Sequence, residues 1–245
     1  MMDILKSAIV WFAAITFVAL LFPFCFLVWL LVLPFDRKRT VIHWLLIWQS
    51  KVLVSIIPFW RLTIEGKNRI NRKATYVIIS NHQSLADILI LNCLGMRYKW
   101  ISKAENMKLP VLGWYLRMAG YITVNRSDDE SKAEMLAKSY NCLKKGTSIM
   151  IFPEGTRSRN GEIGFFKRGA FQLALETGMP ILPVVLDGTG EILAKNSYVM
   201  RGFRKVKMKV LDPVYPESFG TTDVERLADD FRKKLSLELI KLKSE

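Results

Sequence analysis

Charged side chains are almost missing from the first 35 positions and then recur every few residues to the end of the chain. From Ala8 to Phe35 there are 28 consecutive residues without a charge. As one straight helix such a run spans about 42 Å, against roughly 30 Å for the hydrocarbon of a bilayer. It is too long for the apolar part of a signal peptide, and no small-x-small site follows it. Asp36-Arg37-Lys38-Arg39 closes it instead. The pattern predicts a membrane-anchoring helical segment with the body on the cytoplasmic face, where positive flanks tend to stay. Pro23 leaves open a kinked spanning helix or a hairpin that dips into one leaflet. Val41 to Trp60, carrying Trp44, Trp48, Phe59 and Trp60, predicts an interfacial helix, with a core helix of the body as the alternative. Residues 1–60 therefore form an anchoring unit and 61–245 a single further domain.

Beyond Arg61 short apolar runs alternate with stretches of helical length. Strands are expected at Tyr76–Ser80, Tyr98–Ile101, Tyr121–Val124, Ser148–Phe152, Ile181–Leu186 and Val206–Leu211. Helices are expected at Leu85–Leu94, Leu109–Met118 and Phe166–Thr177, the last closed by Gly178. Two more open on the capping boxes Ser127/Glu130 and Thr222/Glu225, ending near Gly146 and Leu242. This alternation predicts an α/β fold, a mostly parallel central sheet flanked by helices.

Charge and cysteine content narrow the class. The 36 Lys and Arg against 22 Asp and Glu give a net charge of +14, and Asp3 and Lys6 cancel within the head. With 51% hydrophobic residues the chain is neither disordered nor fibrous. Three cysteines without CxxC spacing read as reduced thiols, not a disulfide scaffold or metal site. Net charge alone hints at nucleic acid, but the 201–209 run alternates Lys with apolar residues like a half-exposed strand. No nucleic-acid partner is expected. Its cations also suit anionic lipid headgroups.

In such sheets ligands sit beyond the carboxyl ends of the strands. There, after the Tyr76 strand, come His82 and Asp87. On a continuous helix five positions differ by about 140°. The two meet only if His82 lies in the preceding turn, so that the carboxylate holds one imidazole nitrogen and frees the other as a base. The alternative is a helix cap by Ser84 or Asp87 beside a satisfied polar histidine. After the Ser148 strand comes Phe152-Pro153-Glu154-Gly155-Thr156-Arg157-Ser158, where Gly155 allows a tight turn and Arg157 offers a fork for phosphate or carboxylate. Lys103, Arg126, Lys167 and Arg168 also follow strand ends. Together they suggest a hydroxyl substrate carrying phosphate, unless they are solvated loop charges.

Asn81-His82-x4-Asp87, Gly120-x-Ile122 with Arg126, the Phe152–Ser158 run and Ile181-Leu182-Pro183-Val184, in that order, resemble the four motifs of the glycerolipid acyltransferases. The resemblance covers about residues 60–215. It implies transfer of a fatty acyl group from acyl-CoA or acyl-carrier protein to the free sn-2 hydroxyl of lysophosphatidic acid, giving phosphatidic acid, with no cofactor beyond that co-substrate. His82 is then the base and Asp87 its orienting partner. Glu154, Gly155, Thr156 and Arg157 line the acceptor site, with Arg157 on the phosphate and Arg126 and Lys103 assisting. Pro183 shapes the side near the acyl donor. Asn125 departs from the aspartate common before the arginine. The lipid membrane and a lysophospholipid are the implied partners. Another lysophospholipid or a lyso-aminolipid is the alternative acceptor, and a membrane-bound lipid-binding protein the non-enzyme alternative. A covalent acyl-enzyme is not expected, because no G-x-S-x-G elbow is present.

Overall fold

A computed structural model describes residues 2–57, 60–201 and 204–244. Phe59, and Gly202 and Phe203 of the basic run, lie outside the described residues. The elements in chain order are α1 (Met2–Val32), α2 (Thr40–Ile56), β1 (Trp60–Glu65), β2 (Val77–Ser80), α3 (Ala86–Asn92), β3 (Tyr98–Lys103), α4 (Leu112–Ala119) and β4 (Ile122–Val124). There follow α5 (Asp129–Lys144), β5 (Ser148–Ile151), α6 (Gly169–Thr177), β6 (Ile181–Asp187), α7 (Thr189–Ile192), β7 (Arg204–Val210) and α8 (Val224–Ser244).

The strands form one seven-stranded sheet in the order β1-β7-β6-β2-β5-β3-β4. Neighbours are parallel except β6 and β7, which pair antiparallel with Val184 opposite Val210. The expected α/β architecture with a mostly parallel sheet is the one observed. Both faces are covered, which explains why the central strands read as continuous apolar runs. Along β2, Ile78 joins the core beneath α2 and α3. Val77 and Ile79 join the opposite core beneath α5, α6 and α8. A third, smaller cluster links Cys25 of α1, Ile42 of α2 and Tyr115 and Met118 of α4.

Several local expectations shift. Strand β1 gave no distinct signal, because it is an edge strand whose inward residues alternate with Arg61, Thr63 and Glu65. Helix α5 is capped by Asp128, whose carboxylate accepts from Glu130 N at 3.1 Å, while Ser127 bonds back to Asn125 Oδ1. Helix α8 is capped by Asp223, which accepts from the N–H groups of Glu225 and Arg226. A carboxylate one residue further on displaces the expected hydroxyl in both cases. The basic strand β7 turns two of its cations inward: Lys207 Nζ donates to Leu242 O at 2.9 Å, and Lys209 pairs with Glu238 at 3.1 Å. Helix α2 buries Ile42, His43, Ile47 and Leu53 against the body and leaves Trp44 and Trp48 exposed.

Candidate active site

Strand β2 is buried along its whole length and delivers Asn81 and His82 to the edge where β5 and β6 also end. The Asn81 amide accepts from Leu186 N and donates to Leu186 O, both at 2.8 Å. A side chain thus completes one more strand-like pair with β6 and fixes where the chain leaves the sheet. His82 follows in the turn and Asp87 lies in the first turn of α3.

His82 Nδ1 is 2.7 Å from Asp87 Oδ2. The same oxygen accepts the backbone N–H groups of Gln83 at 2.7 Å and Ser84 at 2.9 Å. Asp87 is fully buried, and its Oδ1 has no hydrogen-bond partner among the described residues. Three donors on one oxygen hold the carboxylate in place. A charged acceptor at Nδ1 puts the imidazole proton there and leaves the lone pair on Nε2. The His82 side chain remains 13% exposed, so Nε2 can be reached. Its ring lies flat on Phe152, centroids 3.8 Å apart and planes 8° from parallel. Phe152 in turn rests on Trp100. Ser84 is not available as a nucleophile: its buried hydroxyl donates to Leu193 O at 2.8 Å and accepts from Ala86 N.

The Phe152–Ser158 loop is tied to the histidine turn from both sides. Glu154 Oε1 accepts from His82 N at 2.8 Å, and Oε2 accepts from Gly164 N at 3.0 Å. Ser158 N donates to His82 O at 2.7 Å. Burial pushes the Glu154 carboxyl above its usual range, against the pull of those two N–H groups. Gly155 has a φ of +66°, and a Cβ there would meet Lys167 Cε at 2.9 Å. That backbone conformation favours glycine.

Beyond the turn lies a cavity of about 460 Å³ lined by Glu154, Thr156, Arg157, Lys167, Phe165 and Lys195, among others. Lys195 enters from the loop after α7 and donates to Thr156 Oγ1 at 3.0 Å and Arg157 O at 2.7 Å. Its lining carries Arg157, Arg159, Lys167 and Lys195 against Glu154 and Glu162, a cationic balance that can hold a phosphate.

The structure thus brings together His82, Asp87, Glu154, Gly155, Thr156 and Arg157. Other expected residues engage neighbours outside the lining of this cavity. Lys103 pairs with Glu105 at 2.9 Å at the end of β3. That carboxyl is held below its usual range, chiefly by the hydrogen bond from Lys103 and also by the charge of Arg126. Lys103 and Arg126 share this acid, and neither is among the residues lining the Arg157 cavity. Arg168 is turned to Glu225 at 2.8 Å, while Lys167 stays in the site. Pro183 is buried inside β6 opposite Ile79, and its carbonyl accepts from Leu211 N. Asn81, Phe152 and Lys195 are additions that sequence reasoning did not assign. Phe152 carried a signal, as the large apolar residue opening the loop next to the histidine strand. Among the described residues no group of three or more His, Cys, Asp or Glu is placed to hold a metal ion.

The family model described as Acyltransferase matches residues 61–187. Among curated proteins, the chain is 38% identical over 208 residues to a chloroplastic 1-acyl-sn-glycerol-3-phosphate acyltransferase of Brassica napus, covering 84% of this chain and 58% of that protein. It is 38% identical over 187 residues to a chloroplastic protein of the same description from Arabidopsis thaliana, covering 75% and 52%. The chain thus spans little more than half the length of these two relatives. The crystal structure of the 1-acyl-sn-glycerophosphate (LPA) acyltransferase from Thermotoga maritima superposes with a TM-score of 0.85 at 26% identity, over 99% of this chain and 97% of that one.

Proposed function

The chain belongs to the acyltransferase family, and we propose that it transfers a fatty acyl group from acyl-CoA or acyl-carrier protein to the free sn-2 hydroxyl of lysophosphatidic acid. The product is phosphatidic acid. The observation that carries this reading is the His82–Asp87 pair, with Nε2 free, bonded through Glu154 to the wall of a cationic cavity. The printed descriptions of the relatives above support the acceptor.

The acceptor hydroxyl has a very high pKa, so a base must take its proton as it attacks. His82 Nε2 does so, and Asp87 offsets the imidazolium charge that forms. Phe152 fixes the plane of the ring, and Arg157 holds the phosphate in line. The hydroxyl attacks the thioester carbonyl directly. The C–O bond forms, the tetrahedral oxyanion collapses, and the C–S bond breaks. The thiolate leaves and takes the proton from His82. The engaged hydroxyl of Ser84 supports direct attack rather than an acyl-enzyme. The reading requires no metal and no cofactor besides the donor thioester.

A membrane-resident acceptor gives α1 its purpose. α1 is long and apolar enough to cross a membrane, with a mean hydropathy of 2.7 and 6% of its best window buried. It touches the body at Ser7, which accepts from Met200 N at 2.7 Å, and at Phe22, whose ring meets that of Tyr115 with centroids 5.4 Å apart. Just beyond α1, Lys38 donates to Lys145 O at 2.8 Å. Contacts along its whole length favour a helix seated in the leaflet beside the body, on the cytoplasmic face. The 1–60 segment is then the anchor and 61–245 the catalytic domain.

The test is an assay of the purified chain with lysophosphatidate and either acyl donor. Phosphatidate formation that disappears in His82→Ala is the expected result. Acylation of some other lysolipid but not lysophosphatidate would overturn the acceptor assignment.

A further inference from the structure

Two hydrogen-bond donors at the elbow between α1 and α2, Trp29 Nε1 and Arg39 Nη1, are buried without a partner among the described residues. They sit together, because the Arg39 guanidinium lies over the Trp29 ring, 5.6 Å from its centroid. Buried donors are nearly always satisfied, and leaving one unmade is costly. The Arg39 side chain is itself part exposed, so a shift of its guanidinium opens both donors to an acceptor from outside the chain.

What lies beside them limits that acceptor. Trp29 also lines a cavity of about 370 Å³ with Phe22, Phe26, Trp114, Met118 and Arg117. Its walls are apolar except for Arg117, in the last turn of α4. One wall is the membrane-length helix α1, and Phe26 and Trp114 are exposed at the rim. Cations dominate the elbow, with Arg37, Lys38, Arg39 and Arg117. Its acid, Asp36, accepts from Val41 N at 2.7 Å. The nearby Lys99 ammonium donates to Ala119 O. The ligand that fits has an anionic head and an apolar tail. A free phosphate would leave the apolar cavity unexplained.

We propose that this elbow binds an anionic glycerophospholipid. Its phosphate accepts from Trp29 Nε1 and Arg39 Nη1, with Arg117 close by, and one acyl chain lies along Phe22, Phe26 and Met118. The site is separate from the His82 centre, since none of these residues lines the Arg157 cavity. It rests on the reading of α1 as membrane-seated and does not depend on which acceptor is acylated.

The experiment is native mass spectrometry of the full chain in non-ionic detergent, titrated with phosphatidylglycerol or with phosphatidylcholine of the same acyl composition. Phosphatidylglycerol is expected to be retained at about tenfold lower concentration. Trp29→Phe with Arg39→Gln should erase that preference while leaving acyl transfer unchanged. Arg117→Gln, on the surface, should reduce the preference several-fold and serves if the double variant folds poorly. Equal retention of the two lipids, or an undiminished preference in both variants, overturns the proposal. Flotation on phosphatidylcholine vesicles separates the two readings. A chain that does not float refutes the seating of α1, whereas one that floats yet shows no lipid preference refutes only this site.

Discussion

Asp87 Oδ2 stands 2.7 Å from His82 Nδ1 and gathers two backbone N–H groups as well, so the carboxylate and the turn that carries the histidine are one hydrogen-bonded unit. In the proposed mechanism Asp87 serves catalysis through His82. Asp87→Asn should therefore lower kcat by roughly 10²–10⁴, the range expected for loss of a general base, with little change in acceptor KM. Adding Asp87→Asn to His82→Ala should cost almost nothing more, because the base it serves is already gone. Steady-state kinetics of the two single variants and the double variant decide this. Fully additive losses would show that Asp87 has a separate role.

Glu154 sits under the same turn. Its two oxygens take the N–H groups of His82 and Gly164, so Glu154→Ala leaves two donors unsatisfied, each at a cost of about 1–3 kcal/mol. The expected result is a clearly lower Tm together with reduced kcat. Glu154→Gln keeps one acceptor and should fall between the two. Thermal denaturation and turnover measured on the same samples test it. Loss of turnover with an unchanged Tm would instead place Glu154 on the substrate.

How far the site was legible follows from the same residues. His82 and Asp87 could be read because they lie close in sequence at a strand end, where a turn must bring them together. Their neighbour Asn81 could not, because its role is a pair with Leu186, 105 residues away. Lys195 was hidden for the same reason: it reaches the Arg157 turn from 38 positions further on. The cations after the strands were visible as charges, but sequence does not give side-chain direction. Lys103 and Arg168 turn to acids while Lys167 turns to the cavity. The buried strands of the sheet read clearly, whereas edge strand β1 carries a polar residue at every second position and gave no run to see.

The Arg157 turn makes a second kind of prediction, about binding rather than turnover. Lys195 fixes Thr156 and the Arg157 carbonyl, and on the proposed reading the guanidinium meets the acceptor. Arg157→Ala should raise acceptor KM by roughly 10–100-fold, in line with about 1.5–3 kcal/mol for a charge-assisted hydrogen bond. Arg157→Lys should recover part of this, since it keeps the charge and loses the fork. Lys195→Ala should raise KM by a smaller factor and leave kcat nearly unchanged. If KM for the phosphate-bearing acceptor is the same in all three variants, the cavity is not the phosphate site.

His43 gives the fold a dependence on pH that is independent of catalysis. It is buried between α2 and the sheet, with Nδ1 2.9 Å from Tyr121 Oη and Nε2 3.1 Å from Met96 O. Nε2–H donates to the carbonyl and Nδ1 accepts from the phenol, which is the neutral tautomer. Burial lowers its pKa to about 4, whereas in the unfolded chain it titrates near the ordinary histidine value of about 6.5. The unfolded state therefore takes up a proton first as pH falls, and stability drops from about pH 6.5 down to about pH 4. The loss is on the order of 2 kcal/mol by pH 5, at 1.36 kcal/mol per unit. His43→Gln, which can still donate to Met96 and accept from Tyr121 but does not titrate, should show a shallower fall in urea midpoint between pH 7 and pH 5. If His43→Gln runs parallel to the wild type across that range, the acid sensitivity arises elsewhere, and the carboxylates are the place to look.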